Sequence, residues 1–289
     1  LGDVYKRQAL NSIVAIQAGS CLRLKVDDTG LCINGWAVST GTVSVSPATT
    51  ASLGTVFAYT SATCYNSSLG YMSGNMSMTG AFNSAIGLLA LSCNTTGVSN
   101  TAIGYQALRL NTTGSNNTAI GCAALVNNIS GYNNTAIGYG ALQTNNAGQD
   151  NTAIGYNALY GNTAGCSNTA IGCMALKTNT TGINNVAIGY TALCGNTAGI
   201  NNVAFGCQAL KTNTVGSDNF AAGYCSLFSN VSGMGNTAIG PGTLKSNATG
   251  VGNIAIGCCA LCSSSGGNNN VSLGALSMVL NTTGSCNIA

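Results

Sequence analysis

The chain has no glutamate and no histidine, only two prolines, and charged side chains at 4% of its 289 positions. Each shortage removes a class of function. General acid–base catalysis draws on His, Glu or paired Asp with tuned pKa values, and five aspartates are the entire carboxylate supply. A chain so poor in charge is no solvated, self-repelling disordered tail. Without its first eight residues it keeps six cations against four anions, and a net charge of about +2 is no nucleic-acid footprint. No run of about 18 apolar residues marks a membrane span.

What is abundant is Gly, Asn, Thr and Ala, and these fall into a repeat. Twelve complete copies of a 17-residue unit run in unbroken phase from Asn83 to Cys286. The consensus is Asn-Thr-Ala-Ile-Gly-Tyr-x-Ala-Leu-x-x-Asn-Thr-x-Gly-x-x, shown well by Asn100, Thr101, Ala102, Ile103, Gly104, Tyr105, Ala107, Leu108, Asn111 and Gly114. Asn opens every copy, Gly fills the fifth and fifteenth positions of all twelve, and Asn at the twelfth fails once, at Ser264. Residues 66–82 form a degenerate thirteenth copy, and Asn287, Ile288 and Ala289 open another.

Gly and Asn tolerate positive φ, so fixed Gly and Asn predict bends at fixed places in each copy. Between bends, Thr101, Ile103 and Tyr105 alternate with the smaller Ala102 and Gly104, the period of a strand. Helix-pair repeats need about 33 residues and leucine-rich repeats about 20 to 29. Antiparallel propellers or sandwiches want about 8 to 12 residues per strand and turn, and less uniform copies. Seventeen residues hold two short strands and two turns. The expected fold is therefore all-β: a parallel β-solenoid in which each copy is one coil, twelve coils making a rod about 58 Å long at the strand spacing.

Each position then forms a column. Asn columns are expected to bond side chain to side chain, and Ile and Leu columns to bury one another. The Tyr column is expected inside, because Cys122, Cys173, Cys207, Cys258, Leu88 and Ala275 replace Tyr there. The smooth Ala and Gly face of the strand is expected to admit a neighbouring backbone. A coil this small encloses about two large side chains, so one apolar column must face outward and find a partner. Residues 9–65 lack the repeat. Within them Leu22–Val26 and Leu31–Ile33, around Asp27, Asp28, Thr29 and Gly30, read as a β-hairpin.

At Asn-Thr-Ala-Ile-Gly, with a later Ala and a later Gly, the unit resembles the YadA-like head repeats of trimeric autotransporter adhesins and the similar repeats of phage tail-fibre-like proteins. The match spans residues 66–289. The resemblance implies a left-handed β-roll, assembled as a homotrimer, that projects from a bacterial cell or virion tail and binds a cell-surface or extracellular-matrix ligand such as a glycan. This unit departs from the adhesin head in having about three extra residues per copy, at Leu-x-x-Asn, and many Cys. Residues 1–8 resemble the translated end of a transposase sequencing adapter and are set aside. With no Met at position 1 and a repeat opening at the last three residues, both natural termini are expected to lie beyond this sequence.

Candidate chemistry is thin. Asp150 and Asp218, both at the seventeenth position, stand four coils apart, about 19 Å, too far for a dyad or a shared calcium ion. Asp27 and Asp28 precede Thr-Gly and read as a turn. The fourteen Cys place no two in one column of adjacent coils. Cys122 and Cys173 are three coils apart, about 14 Å, beyond the Cα limit of about 7 Å for a bridge. Cys258, Cys259 and Cys262 contain one CxxC without a second pair or a His for zinc. Small buried thiols are the expectation. Asn-x-Ser/Thr sequons such as Asn94–Thr96 and Asn281–Thr283 follow from the repeat's composition. Residues 240–246 have the wrong spacing for a phosphate loop. No catalytic, cofactor or metal residues are assigned.

The functional expectation is a structural or adhesive segment of an extracellular fibre, with itself and a surface ligand as partners, and with neither nucleic acid nor membrane. Two alternatives follow: an ice-binding solenoid, from the Thr column Thr101 to Thr169 that breaks at Val186, Val203 and Phe220, and a polysaccharide-cleaving tailspike, which would need clustered carboxylates.

Overall fold

A computed structural model describes residues 64–289 apart from Met76, together with the backbone of four strands before them. The chain divides into two units, residues 1–41 and 42–289. In the first, β1 (Val14–Ala18) and β2 (Cys21–Lys25) form an antiparallel hairpin. The sequence pairs Leu22–Val26 with Leu31–Ile33. The observed partner is instead the preceding segment, and Leu31–Ile33, with Asp27 and Asp28, lies outside the described residues.

The second unit is one 15-stranded sheet. It starts with β3 (Val43–Ser44) and β4 (Phe57–Thr60), antiparallel to each other, and β4 is antiparallel to β5 (Ser67–Leu69). From there every strand is parallel to the last and 17 residues further on, from β6 (Ser84–Ile86) and β7 (Thr101–Ile103) to β17 (Val271–Leu273). Like pairs with like: Thr101 with Thr118, Ala102 with Ala119, Ile103 with Ile120. The result is an all-β parallel solenoid of 17-residue coils, and no helix occurs among the described residues.

Each coil carries one three-residue strand, where the sequence predicts two short ones. The cause lies in the second half of the coil. The seventh and ninth residues adopt left-handed φ, 57° at Gln106 and 50° at Leu108, which breaks any extended run there. Coil-to-coil bonding continues regardless: Leu108 N–H donates to Ala124 O at 3.0 Å and Thr112 N–H to Ile129 O at 3.0 Å. The turns close within the coil, from Asn111 N–H to Leu108 O. Backbone donors along the coil thus find acceptors in the coil above or below, as burial demands.

The core is narrow. Ala102, Ala107 and Leu108 and their equivalents as far as Leu261 have no exposed surface, and Leu is the one large apolar side chain repeated inside. Burying each Leu contributes about 1.5–3 kcal/mol relative to exposure. The rest of the interior is two columns of fully buried Asn, headed by residues such as Asn100 and Asn111.

Candidate interaction surface

The internal framework determines which side chains are left to meet a partner. In the Asn100 coil, the Asn100 amide donates to Asn83 Oδ1 at 3.1 Å and to Gly114 O at 2.8 Å, and Asn111 donates to Asn94 Oδ1 at 2.8 Å and to Gly114 O at 2.9 Å. Neither Asn has positive φ, and neither does Gly114. The expectation of positive φ at these positions is therefore corrected, while the chain still bends at Thr112 and Thr113 between them. The Asn residues are ladder members, and Gly114 is required because a Cβ there would strike Gly131 O and Asn111 Oδ1. Gly104 does adopt positive φ, 130°, and a Cβ on it would also lie 2.6 Å from Gly121 O.

Strand alternation turns Ala102 inward and Thr101 and Ile103 outward. This corrects two expectations. The smooth Ala column is the inner face, and the Ile column does not share the Leu core: Ile86, Ile103, Ile154, Ile188, Ile239 and Ile256 are all 36–44% exposed. A coil one Leu wide has no room for a second branched column. Tyr, expected inside, also faces out, from 46% exposed at Tyr105 to 61% at Tyr224. Tyr139 and Tyr156 stack on adjacent coils with centroids 5.5 Å apart. In one place the outer face is rebuilt: Phe205 takes the Ile position, Phe220 of the next coil takes the Thr position, and the two rings meet edge to face at 6.3 Å. Ala222, the Ile equivalent beside Phe205, leaves the room for it.

The thiols follow the same geometry. Of the twelve described, only Cys225 is buried. The expectation of buried thiols fails because the sixth position, which holds Cys122, Cys173, Cys207 and Cys258, lies on the outer face. Cys258 and Cys259 Sγ approach to 3.7 Å. Interaction with Cys258, then desolvation, pushes the Cys259 thiol up, which lowers its thiolate fraction and its reactivity. A hydrogen bond with Cys225 likewise pushes the Tyr224 phenol up. Among the described residues no cluster of three metal-ligating side chains occurs.

Asp150 and Asp218 sit at a left-handed position, φ 57° and 59°, shared with Asn116, Asn133, Asn184 and Gly235. The readable signal was the composition of that column, Asn, Asp, Ser and Gly, the residues that visit this conformation most easily. Each carboxylate accepts a hydrogen bond from the coil below, from Asn133 at 2.9 Å and Asn201 at 3.0 Å. The structure does not bring them together. Residues 240–246 are part of a coil like the others, with Gly240 bonded into the ladder. Among the described residues no helix is long and apolar enough to cross a membrane.

No known protein family matches the chain, and no curated protein or solved structure is significantly similar to it.

Proposed function

We propose that the repeat region is a structural and adhesive shaft, a segment of an extracellular fibre of adhesin or tail-fibre type. The observation that carries this reading is the outward apolar ribbon: Ile86, Ile103 and their equivalents to Leu273 stand in register on one parallel sheet, coil after coil. A continuous apolar stripe of this length, half-buried at Ile120, Ile137, Ile171 and Ala222 and exposed at its other positions, marks an interaction surface. Identical coils make it continuous, and self-association with closed symmetry covers it. Three chains is the number implied by the likeness to autotransporter heads. The assembled rod would hold a binding tip away from its base or bind a surface ligand along its own length. A non-enzymatic role is supported by the separation of Asp150 from Asp218 and by the engagement of each with an Asn.

The test is light scattering on residues 66–289 joined to a heterologous trimerisation tag, before and after the tag is cleaved. Persistence of the trimer supports the fibre. A stable, well-folded monomer after cleavage overturns it.

The second reading, an ice-binding solenoid, is favoured by one observation. Thr101, Thr118, Thr135, Thr152 and Thr169 face outward in register on five successive coils. The column then breaks to Val186, Val203 and Phe220. A thermal-hysteresis assay on the monomer separates the two readings.

A further inference from the structure

We infer that the tenth position of the coils forms a docking edge for a linear acidic polysaccharide carrying about one negative charge per disaccharide. The inference rests on the adhesive reading above and names its ligand class.

The four cations of the repeats, Arg109, Lys177, Lys211 and Lys245, all occupy the tenth position of their copies, one column out of seventeen. The repeat carboxylates lie elsewhere, at the seventeenth position, each bound by an Asn. Among the described residues none of the four cations is paired with a carboxylate. Cation and anion columns are thus segregated, and the positive one is uncompensated.

The lysines are also periodic. They stand in every second coil, so in a stack without insertions their backbones repeat every two coils, about 9.6 Å. Between them lie Cys194 and Phe228, and Tyr160 precedes Lys177 in the same column. Lys211 Nζ lies 5.3 Å from the centroid of the Phe228 ring, which holds the ammonium along the column. Burial pushes the Cys194 thiol up, and Lys177 and Lys211 both pull against that, so both ammoniums act on the intervening coil.

This spacing selects among polyanions. A duplex strand presents a phosphate about every 3.4 Å, so three charges about 9.6 Å apart would leave most phosphates unmatched. A glycan with one carboxylate or sulfate per disaccharide repeats at close to the two-coil step, and its sugars would lie over Phe228 and Cys194 between ammoniums. One exposed ion pair is weak. Affinity comes from adding pairs along a single chain.

The test uses the full 289-residue chain and three immobilised probes: hyaluronan, which has one carboxylate per disaccharide, uncharged dextran, and single-stranded oligothymidylate. The chain should retain hyaluronan at about 0.01 M ionic strength, where the screening length is about 30 Å, and release it by about 1 M, where it is about 3 Å. Replacing Lys177, Lys211 and Lys245 together with Gln should weaken hyaluronan binding at least about tenfold while the far-UV spectrum is unchanged. A charge-matched variant, Lys211→Gln with Cys194→Lys, keeps three cations but breaks their spacing, and it should weaken binding at least about threefold. Equal binding by the charge-matched variant, no loss in the triple variant, tighter retention of oligothymidylate, or failure to bind hyaluronan each overturns the inference. If the triple variant still adheres to cell surfaces like the unmodified protein, the fibre reading stands and only this inference falls. A monomer that adheres to no surface overturns the fibre reading itself.

Discussion

Asn117 and Asn128, eleven positions apart, donate their side-chain amides to the same acceptor, the carbonyl of Gly131, at 2.8 and 2.9 Å. The second proton of each amide goes to the coil below, to Asn100 Oδ1 and Asn111 Oδ1. Each Oδ1 in turn receives the amide of the coil above, from Asn134 and Asn145. One carbonyl with two lone pairs therefore joins two continuous ladders. A buried amide with every hydrogen bond made is stabilising, and one left partly unpaired is costly.

The ladder has one fault, and repairing it should stabilise the protein. Ser264 replaces Asn, and both its Oγ and the Oδ1 of Asn247 below are buried without a partner. Ser264→Asn restores an amide that reaches Asn247 Oδ1 and Gly267 O. The expected gain is about 1–3 kcal/mol, read as a raised urea midpoint. Asn179→Ala is the converse. It strands Asn162 Oδ1 and removes the acceptor of Asn196, and it should lower the midpoint.

Two glycine substitutions should behave oppositely. At Gly114 an added Cβ meets the Gly131 carbonyl and Asn111 Oδ1, atoms of the ladder junction that cannot yield. Gly114→Ala should cost about 3 kcal/mol or more. Gly235 has open space around its would-be Cβ and φ of 63°, in a column where Asn133 has φ of 55°. Gly235→Asn should be neutral or stabilise by up to about 0.5 kcal/mol, by restricting the unfolded chain. Thermal melts of the two variants check the pair.

The coil itself was legible because its evidence is arithmetic: twelve copies in phase, with strict Asn and Gly, admit few folds other than one stacked turn per copy. The direction of the columns was not. Interior width decides whether Ala102 or Ile103 points inward, and that width depends on Leu108 at φ of 50°. Nothing in the sequence marks a Leu as left-handed, because the conformation is disfavoured for it and is compensated here by complete burial. The exchange of Tyr105 equivalents with Cys points to the inside of the roll. A column that faces outward tolerates the same exchange with fewer constraints.

Removing one whole coil, residues 168–184, should leave a folded rod shorter by about 4.8 Å, because Asn185 then meets Asn151 as Asn168 did. Removing 16 residues shifts every later residue out of its column and turns buried side chains outward. The shorter deletion should melt far lower. Equal melting of the two would contradict the column packing.

Reductant and a metal chelator should leave the melting of the repeats unchanged, despite the abundance of Cys. Cys93 and the ten described thiols after it are free, and no three ligating side chains cluster among the described residues. A fall of about 2–5 kcal/mol on reduction would instead reveal bridges, within residues 1–63 or between chains.

Leu159 and Ile154 lie in the same coil and separate folding from assembly. Leu159 is fully buried and Ile154 is 36% exposed. Leu159→Ala opens a cavity in the narrow core and should cost about 2–5 kcal/mol, with a unit so thin unable to collapse around the gap. That loss belongs to the single chain and should not depend on protein concentration. Ile154→Lys touches no internal column, so a lone rod would keep its far-UV spectrum and nearly all its stability. In an assembly closed over the Ile ribbon it places an ammonium in an apolar interface, where an unpaired charge is strongly unfavourable. Light scattering should then report a folded monomer, and melting that rises with concentration in the unmodified protein should become independent of it. If Ile154→Lys and the unmodified chain melt alike at every concentration, and the unmodified chain is itself a monomer, the Ile ribbon is not an assembly surface.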